Sequence, residues 1–237
     1  MAQMFTGLAQ ALGIVLAATE TAAGKRMTVS LAELVDAPIG LGDSICVSGV
    51  CLTAVKIANG NVSFDVIRET LNRTTLGRKI PQDRVNLELS LQPASYVGGH
   101  FVQGHVEAVA TVAAIRSDPG DWRLTFNLPA SIAPCLVPKG SVTVEGVSMT
   151  IAEVKNGADG HSFTLAVIPA TLEKTTLSAL GVGDQVNVET DILARTVVHW
   201  MTLMNGTGGP PLPHQGPVLV AAPPGKDRPS GRWLGLT

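Results

Sequence analysis

Up to about residue 190 the chain runs as apolar stretches rich in Val, Ile and Thr, each roughly four to eight residues long, broken by Gly, Asn, Asp or Pro. That rhythm predicts short strands, and Leu8 to Ala18 reads as a buried one. The pairs Asn59-Gly60 and Asn156-Gly157 suit tight hairpins, because both central residues of such a turn take positive φ. The rhythm also repeats. Shifted by 97 residues, Gly42 to Val55 falls on Lys139 to Ala152, with Ser44/Ser141, Val47/Val144, Gly49/Gly146, Val50/Val147 and Thr53/Thr150 identical. After four extra residues in the second copy the shift becomes 101, matching Val66, Ile67, Thr70, Leu71, Thr74, Thr75 and Leu76 to their counterparts, then Asp83, Val85, Asn86 and Glu88 to Asp184, Val186, Asn187 and Glu189.

One element per copy departs from the strand pattern. Glu69 to Leu76 and Ala170 to Leu177 are polar stretches, and each predicts a short helix between strands. Some six strands and one short helix in roughly 90 residues argue a small antiparallel barrel or a Greek-key sandwich, here two in tandem. From Ile192 to Met204 the apolar residues Leu193, Val197, Trp200 and Met204 are spaced 4, 3 and 4, behind Asp191 at an N-cap position. This predicts a helix with a coiled-coil-like seam, which either bundles with copies of itself or lies on its own barrel. From Asn205 to Thr237, seven Gly and seven Pro in 33 residues leave too little apolar surface to offset the entropy of ordering, which predicts a disordered tail. The expected segments are thus 1–97, 98–190, 191–204 and 205–237.

Composition narrows the function. Hydrophobic residues make up 45% of the 237 and charged residues 15%, so most of the chain should fold. Seventeen Lys and Arg against nineteen Asp and Glu give a net charge of -2 with no basic run, which argues against nucleic acid as a partner. An oligonucleotide-binding barrel would also want stacking aromatics, and only nine aromatic residues are present. Leu8 to Ala18 is too short to span a bilayer and no Lys or Arg precedes it, so no membrane is expected. The three cysteines, Cys46, Cys51 and Cys135, cannot all pair within the chain and fit the reducing cytoplasm. The N-x-S/T triplets at Asn61, Asn72 and Asn205 are discounted on that basis.

Chemistry is expected where the copies differ. Cys51 faces Ser148, Ser48 faces Glu145 and Leu8 faces His105. The shared polar pairs Ser44/Ser141, Thr53/Thr150 and Thr70/Thr171 suit a polar heterocycle held similarly in each copy. Plainer readings stand beside these. Cys51, within Val50-Cys51-Leu52, fits a small core hydrophobe, and the threonine pairs fit capping and back-bonding. His100 and His105 would need further ligands to form a metal site, and none appears nearby. The stretch Gly98 to His105 lacks the Lys and Ser/Thr of a phosphate loop and reads equally as a strained crossover between barrels.

Four stretches resemble the riboflavin synthases built from tandem lumazine-binding domains: Met4-Phe5-Thr6-Gly7, Gly49-Val50-Cys51-Leu52-Thr53, Gly98-Gly99-His100-Phe101-Val102-Gln103-Gly104-His105, and Lys139-Gly140-Ser141 with Gly146-Val147-Ser148-Met149-Thr150. Glu69-Thr70-Leu71 and Thr171 to Leu177 add to the likeness, which covers about residues 4 to 204. It implies an all-β fold of two tandem six-stranded antiparallel Greek-key barrels, each with a short helix, plus a C-terminal helix. It implies a transferase that dismutates two molecules of 6,7-dimethyl-8-ribityllumazine, moving a four-carbon unit to give riboflavin and 5-amino-6-ribitylamino-2,4-pyrimidinedione.

The resemblance further implies no metal and no cofactor. It implies homotrimers tied by their C-terminal helices, each active site lying between the N-terminal barrel of one subunit and the C-terminal barrel of the next. Lumazine synthase is a further partner it brings into view. The residues it points to are Phe5, Ser44, Cys51, Thr53 and Thr70 on the N-barrel side, and His105, Lys139, Glu145, Ser148, Thr150 and Thr171 on the C-barrel side. In that reading His105 is the general base or relay for a methyl proton, and Cys51, Ser44 and Ser148 are candidates for the addition step. Two departures concern the hairpin tips: such proteins commonly carry Asn where Ser48 stands and Asp where Glu145 stands. Ala170 also replaces a residue that is often polar. The rival expectation is a non-catalytic lumazine- or flavin-binding protein of the same superfamily.

Overall fold

The computed structural model of the chain describes residues 4–118, 120–158 and 160–205. The expected tail beyond Asn205, and the question of whether Met1 or Met4 starts the chain, lie outside the described residues. The first repeat forms β1 (Ala11–Thr21), β2 (Gly24–Ser30), β3 (Ser44–Val47), β4 (Val50–Ala58), β5 (Asn61–Ile67) and β6 (Arg84–Leu89), closed into an antiparallel barrel in the order β1-β2-β5-β4-β3-β6. The second forms β7 (Ala108–Asp118), β8 (Asp121–Leu128), β9 (Ser141–Val144), β10 (Val147–Gly157), β11 (Gly160–Val167) and β12 (Gln185–Thr190), in the equivalent order. Both connections that leave the second strand cross to a non-neighbour, which makes each barrel a Greek key.

Strand alternation explains closure. Val15, Val29, Ile45, Val47, Leu52, Phe64 and Leu87 point inward and form the first core, while Val112, Leu124, Phe126, Val144, Ile151 and Leu165 do the same in the second. Each side chain of this size stabilises by roughly 1.5–3 kcal/mol when fully buried. Register shifts at Val15/Ala17 and Ala54/Lys56 recur at Val112/Ala114 and Ile151/Glu153, so the bends that curl each sheet are inherited by both copies.

The expected short helices are each two pieces. Following β5 comes α1 (Arg68–Arg73), then a 3₁₀ turn at Thr75–Arg78; following β11 comes α2 (Pro169–Lys174), then a 3₁₀ turn at Thr176–Ala179. The break falls at Thr74 and Thr175, both extended. Each hydroxyl donates back to the carbonyl of Thr70 or Thr171 at 2.7 Å and accepts from the amide of Leu76 or Leu177. Asn59-Gly60 closes the β4–β5 hairpin, with Asn59 at φ 52°. Asn156-Gly157 does not close its hairpin. β10 and β11 pair on through Gly157↔Gly160, because the residues inserted in the second copy lengthen both strands before the chain turns.

α3 (Ile192–Asn205) begins as expected, Asp191 Oδ1 accepting from the Leu193 amide at 2.9 Å. None of its residues is buried; Leu193 and Val197 are 64% and 57% exposed. Among the described residues no helix is long and apolar enough to cross a membrane.

The barrels meet at their hairpin tips. Ser48-Gly49 and Glu145-Gly146 are two-residue turns with all four φ positive, and they touch backbone to backbone: a Cβ built on Gly49 or Gly146 would lie 2.9 or 2.6 Å from the other's amide nitrogen. Around the tips, buried asparagines exchange bonds. Asn86 Nδ2 donates to the Glu145 carbonyl and its Oδ1 accepts from the Thr176 amide; Asn187 Nδ2 donates to the Ser48 carbonyl and its Oδ1 accepts from the Thr75 amide, all at 2.7–2.8 Å. The seam therefore has an approximate two-fold arrangement.

Candidate functional site

With Ile45, Val47, Leu52 and Ala54 committed to the core, the alternate residues of β3 and β4 face outward. Ser44 stands opposite Thr53 and Cys46 opposite Cys51. The second barrel repeats the pattern with Ser141 opposite Thr150 and Thr143 opposite Ser148 on β9 and β10. Of the predicted residues, Ser44, Cys51, Ser148 and the exposed Thr53 and Thr150 thus sit on two equivalent outer faces. Thr70 and Thr171 lie half-buried in α1 and α2. Lys139 is exposed at φ 66°, its amide donating to the Ile151 carbonyl at 2.8 Å where the chain enters β9.

Each face is braced by a segment leading into the other barrel. Met4 to Gly7 precedes β1 but reaches across, so that the Ser148 amide donates to the Gly7 carbonyl at 2.7 Å; Val102 to Gly104 precedes β7, and the Cys51 amide donates to the Gly104 carbonyl at 2.8 Å. The two arms also pair with each other at Phe5↔Val102. No side chain fits at Gly7 or Gly104, where a Cβ would stand 2.6 Å from the Cβ of Ser148 or Cys51. Each arm is gripped by a buried carboxylate on its own barrel's last strand. Glu88 accepts from the amides of Thr6 and Gly7 and from the Thr6 hydroxyl, while Glu189 accepts from the amides of Gln103, Gly104 and His105. Burial pushes both carboxyls above the usual range, with the donated bonds pulling the other way.

The sequence offers His100 as half of a possible metal pair and as part of the stretch Gly98 to His105. Its ring lies beside Ser148: His100 Nδ1 is 2.8 Å from Ser148 Oγ, and its amide donates to the Thr6 carbonyl. Burial lowers its pKa below the ordinary 6.5, with Asp191 acting in the opposite sense. A neutral imidazole held against a serine hydroxyl is a proton acceptor in waiting. His105 is exposed, one residue beyond the Gly104 carbonyl seated on Cys51. The Cys51 thiol is hydrogen-bonded by Ser44, which pulls its pKa down, but burial dominates and raises it.

Two predicted residues lie elsewhere. Phe5 is wholly buried in the seam with Cys46 and Val102. Glu145 is buried at the hairpin tip, accepting from the Asn187 amide at 2.7 Å and the Thr75 hydroxyl at 3.3 Å, and burial raises its pKa. A cavity of about 590 Å³ between the barrels has Thr75, Lys79, Arg84, Glu145, Thr176 and Gln185 on its wall, but not Cys51, His105 or Ser148. Among the described residues no three His, Cys, Asp or Glu side chains cluster to hold a metal ion.

A family model for the lumazine binding domain matches this chain twice, over residues 6–90 and 103–191. The chain is 41% identical over 201 residues to riboflavin synthase of Mycobacterium tuberculosis, covering 84% of this chain and 98% of the relative. It is 38% identical over 194 residues to riboflavin synthase of Photobacterium phosphoreum, covering 82% and 87%. Among solved structures it is similar to LumP complexed with 6,7-dimethyl-8-(1'-D-ribityl) lumazine (TM-score 0.68, 26% identity) and to LumP complexed with riboflavin (TM-score 0.69, 27% identity), in each case covering 78% of this chain and 98% of the other.

Proposed function

The chain belongs to the riboflavin synthase family, with the lumazine binding domain present twice, and from that premise we propose that it dismutates two molecules of 6,7-dimethyl-8-ribityllumazine to riboflavin and 5-amino-6-ribitylamino-2,4-pyrimidinedione. The observation that carries the proposal is the pair of equivalent outer faces, each lined by hydroxyl or thiol groups and each braced by the opposite arm. Joining two copies of one heterocycle requires two similar surfaces that face each other. Two such faces on one chain, neither enclosed by it, support a site completed when the first barrel of one subunit meets the second barrel of another.

Proximity is the main contribution expected of such a site. Holding both rings in register converts a bimolecular step into an intramolecular one, at best contributing on the order of 7–11 kcal/mol. One ring must lose a proton from its C7 methyl, and the other must accept a nucleophile. His105 follows from the family resemblance. His100 is the better-placed base because its ring is both desolvated and fixed by Ser148. Cys51, or a water held by Ser44, serves the addition. Thr53, Thr70, Lys139, Thr150 and Thr171 are assigned to binding, while Phe5 and Glu145, both buried, act by positioning the arm and the hairpin tip.

The exposed Leu193 and Val197 of α3 support assembly of a homotrimer through that helix. The free cysteines support a cytoplasmic location. Incubation of the purified protein with dimethylribityllumazine is the test. Riboflavin fluorescence appearing with the pyrimidinedione supports the proposal, and tight binding without conversion supports the non-catalytic rival. Truncation after Asp191 should give monomers with little activity by sedimentation and assay; a fully active trimer overturns the assembly.

A further inference from the structure

The outer face of the first barrel holds a feature that the second lacks. Cys46 and Cys51, both free, stand directly opposite in β3 and β4. Because the two-residue turn Ser48-Gly49 makes Val47↔Val50 the closing hydrogen-bonded pair, the next pair out, Cys46↔Cys51, is a non-hydrogen-bonded one. The Cys51 amide agrees with this, since it donates away from β3 to the Gly104 carbonyl. In such pairs the Cα atoms lie about 4.5 Å apart, at the short end of the roughly 4.4–6.8 Å that a disulfide spans. Both side chains leave the sheet on the same side: their neighbours Ile45, Val47, Val50 and Leu52 fill the core, and Cys46 packs with Phe5 and Val102 with Cys51 against them.

We propose that Cys51 and Cys46 form a reversible cross-strand disulfide in response to hydroperoxides, and that the bond switches off the outer face of the first barrel. Cys51 is the half-exposed partner and meets the oxidant first; Cys46, 2% exposed, resolves from beneath. With hydrogen peroxide, the Cys51 thiolate attacks one peroxide oxygen, the O–O bond breaks, and hydroxide leaves to become water, giving a sulfenic acid. The Cys46 thiolate then attacks that sulfur, the S–S bond forms, the S–O bond breaks, and a second water leaves. Two thiols are oxidised by two electrons and one peroxide is reduced to two waters.

Burial holds both thiols above their ordinary pKa, so the reaction should quicken as pH rises. With Cys51 half-exposed, the bond stays open to reductants, which suits a switch. The equivalent residues in the second barrel are Thr143 and Ser148, so only one of the two faces can be locked in this way. The loss of turnover rests on the proposed activity, whereas formation of the bond does not.

The whole protein is treated with hydrogen peroxide, blocked with N-ethylmaleimide, and read by intact mass and peptide fragmentation. Apart from any maleimide on Cys135, the expected product is lighter by two hydrogen atoms, carries a Cys46–Cys51 link, and regains both hydrogens with dithiothreitol. Formation should be faster at alkaline than at neutral pH. In Cys46→Ser, whose hydroxyl has a precedent in Thr143 of the other barrel, Cys51 should gain oxygen and no link should form. Oxygen accumulating on Cys51 of the unsubstituted protein without a link, or a link to Cys135 instead, overturns the proposal. Linked protein that converts dimethylribityllumazine as fast as the reduced form overturns the switch. Reduced protein with no conversion at all counts against the assigned reaction, not the bond.

Discussion

The two barrels share strand order, bulges, hairpin tips and a carboxylate that grips an arm, yet they hold different chemistry on the same scaffold. Ser148 of the second barrel has an imidazole partner in His100, whereas Cys51 of the first is bonded by Ser44. At the tips, Thr75 finds Glu145, but the hydroxyl of Thr176 is buried without a partner among the described residues, because Ser48 is too short to play the carboxylate's part. What is duplicated is backbone: turns, amides, and asparagines bonded to main chain. What diverges is the side-chain chemistry carried on that shared backbone. An enzyme that joins two copies of one molecule needs both, a common mould for the ring and unlike groups to make one ring donor and the other acceptor.

That contrast can be broken first at the histidine. His100→Ala should lower turnover by about 10²- to 10⁴-fold while substrate binding changes little, since proton transfer is what it loses. If His105→Ala does more damage under the same assay, the base is the exposed imidazole and the Ser148 pairing is incidental. The neutral ring is the active form and burial lowers its pKa, so activity should hold as pH falls to 6.5 and decline only below it, with that decline absent in His100→Ala.

Asn86→Ala and Asn187→Ala test the symmetric part. Each strands buried main-chain groups of the opposite barrel and should cost about 1–3 kcal/mol by denaturant unfolding. Two similar losses support a two-fold seam; a loss confined to one variant breaks it. Glu88→Gln and Glu189→Gln should each cost about 1–2 kcal/mol, because the new amide nitrogen meets backbone N–H groups. Only Glu189→Gln should speed alkylation of Cys51, since it both loosens Gly104 and removes a negative charge that raises the thiol's pKa. Equal acceleration in both variants contradicts the crossed bracing.

The smallest effect is expected at Glu145. With its folded pKa raised, it binds its proton more tightly in the native state, so stability is lost as pH climbs from the unfolded value of about 4.3 through the folded one. Glu145→Gln keeps an acceptor for Asn187 and should raise the melting temperature by roughly 1–2 °C at neutral pH, with the gain vanishing near the unfolded value. A variant that melts lower at neutral pH shows that the charge is structurally required.

Much of this was legible in the sequence because it is local or repeated. Strand alternation, the Asn59-Gly60 turn and the Asp191 cap each involve neighbours in the chain, and the matched polar landmarks from Ser44 to Thr53 and from Ser141 to Thr150 announced two barrels. The breaks at Thr74 and Thr175 were hidden, because a threonine that ends one helical turn by capping the next looks like helix continuation. The pairing of His100 with Ser148 was hidden for a different reason. The two are 48 residues apart, and the repeat mate of His100, Gln3, carries no similar chemistry. Glu88 and Glu189 were visible as a matched pair, but what they grip is set by arms that cross between barrels, and no periodicity encodes a crossing. Cys46 stood in the sequence only as one of three cysteines, because its place opposite Cys51 is set by the hairpin register.

The touching turns at Gly49 and Gly146 carry one more implication. Two backbones pressed together leave no room for a side chain at either glycine, so a difference between the two tips can sit only one place along the chain. Ser48 and Glu145 occupy that place. An engineer wishing to make the two tips less alike should begin at the same two residues.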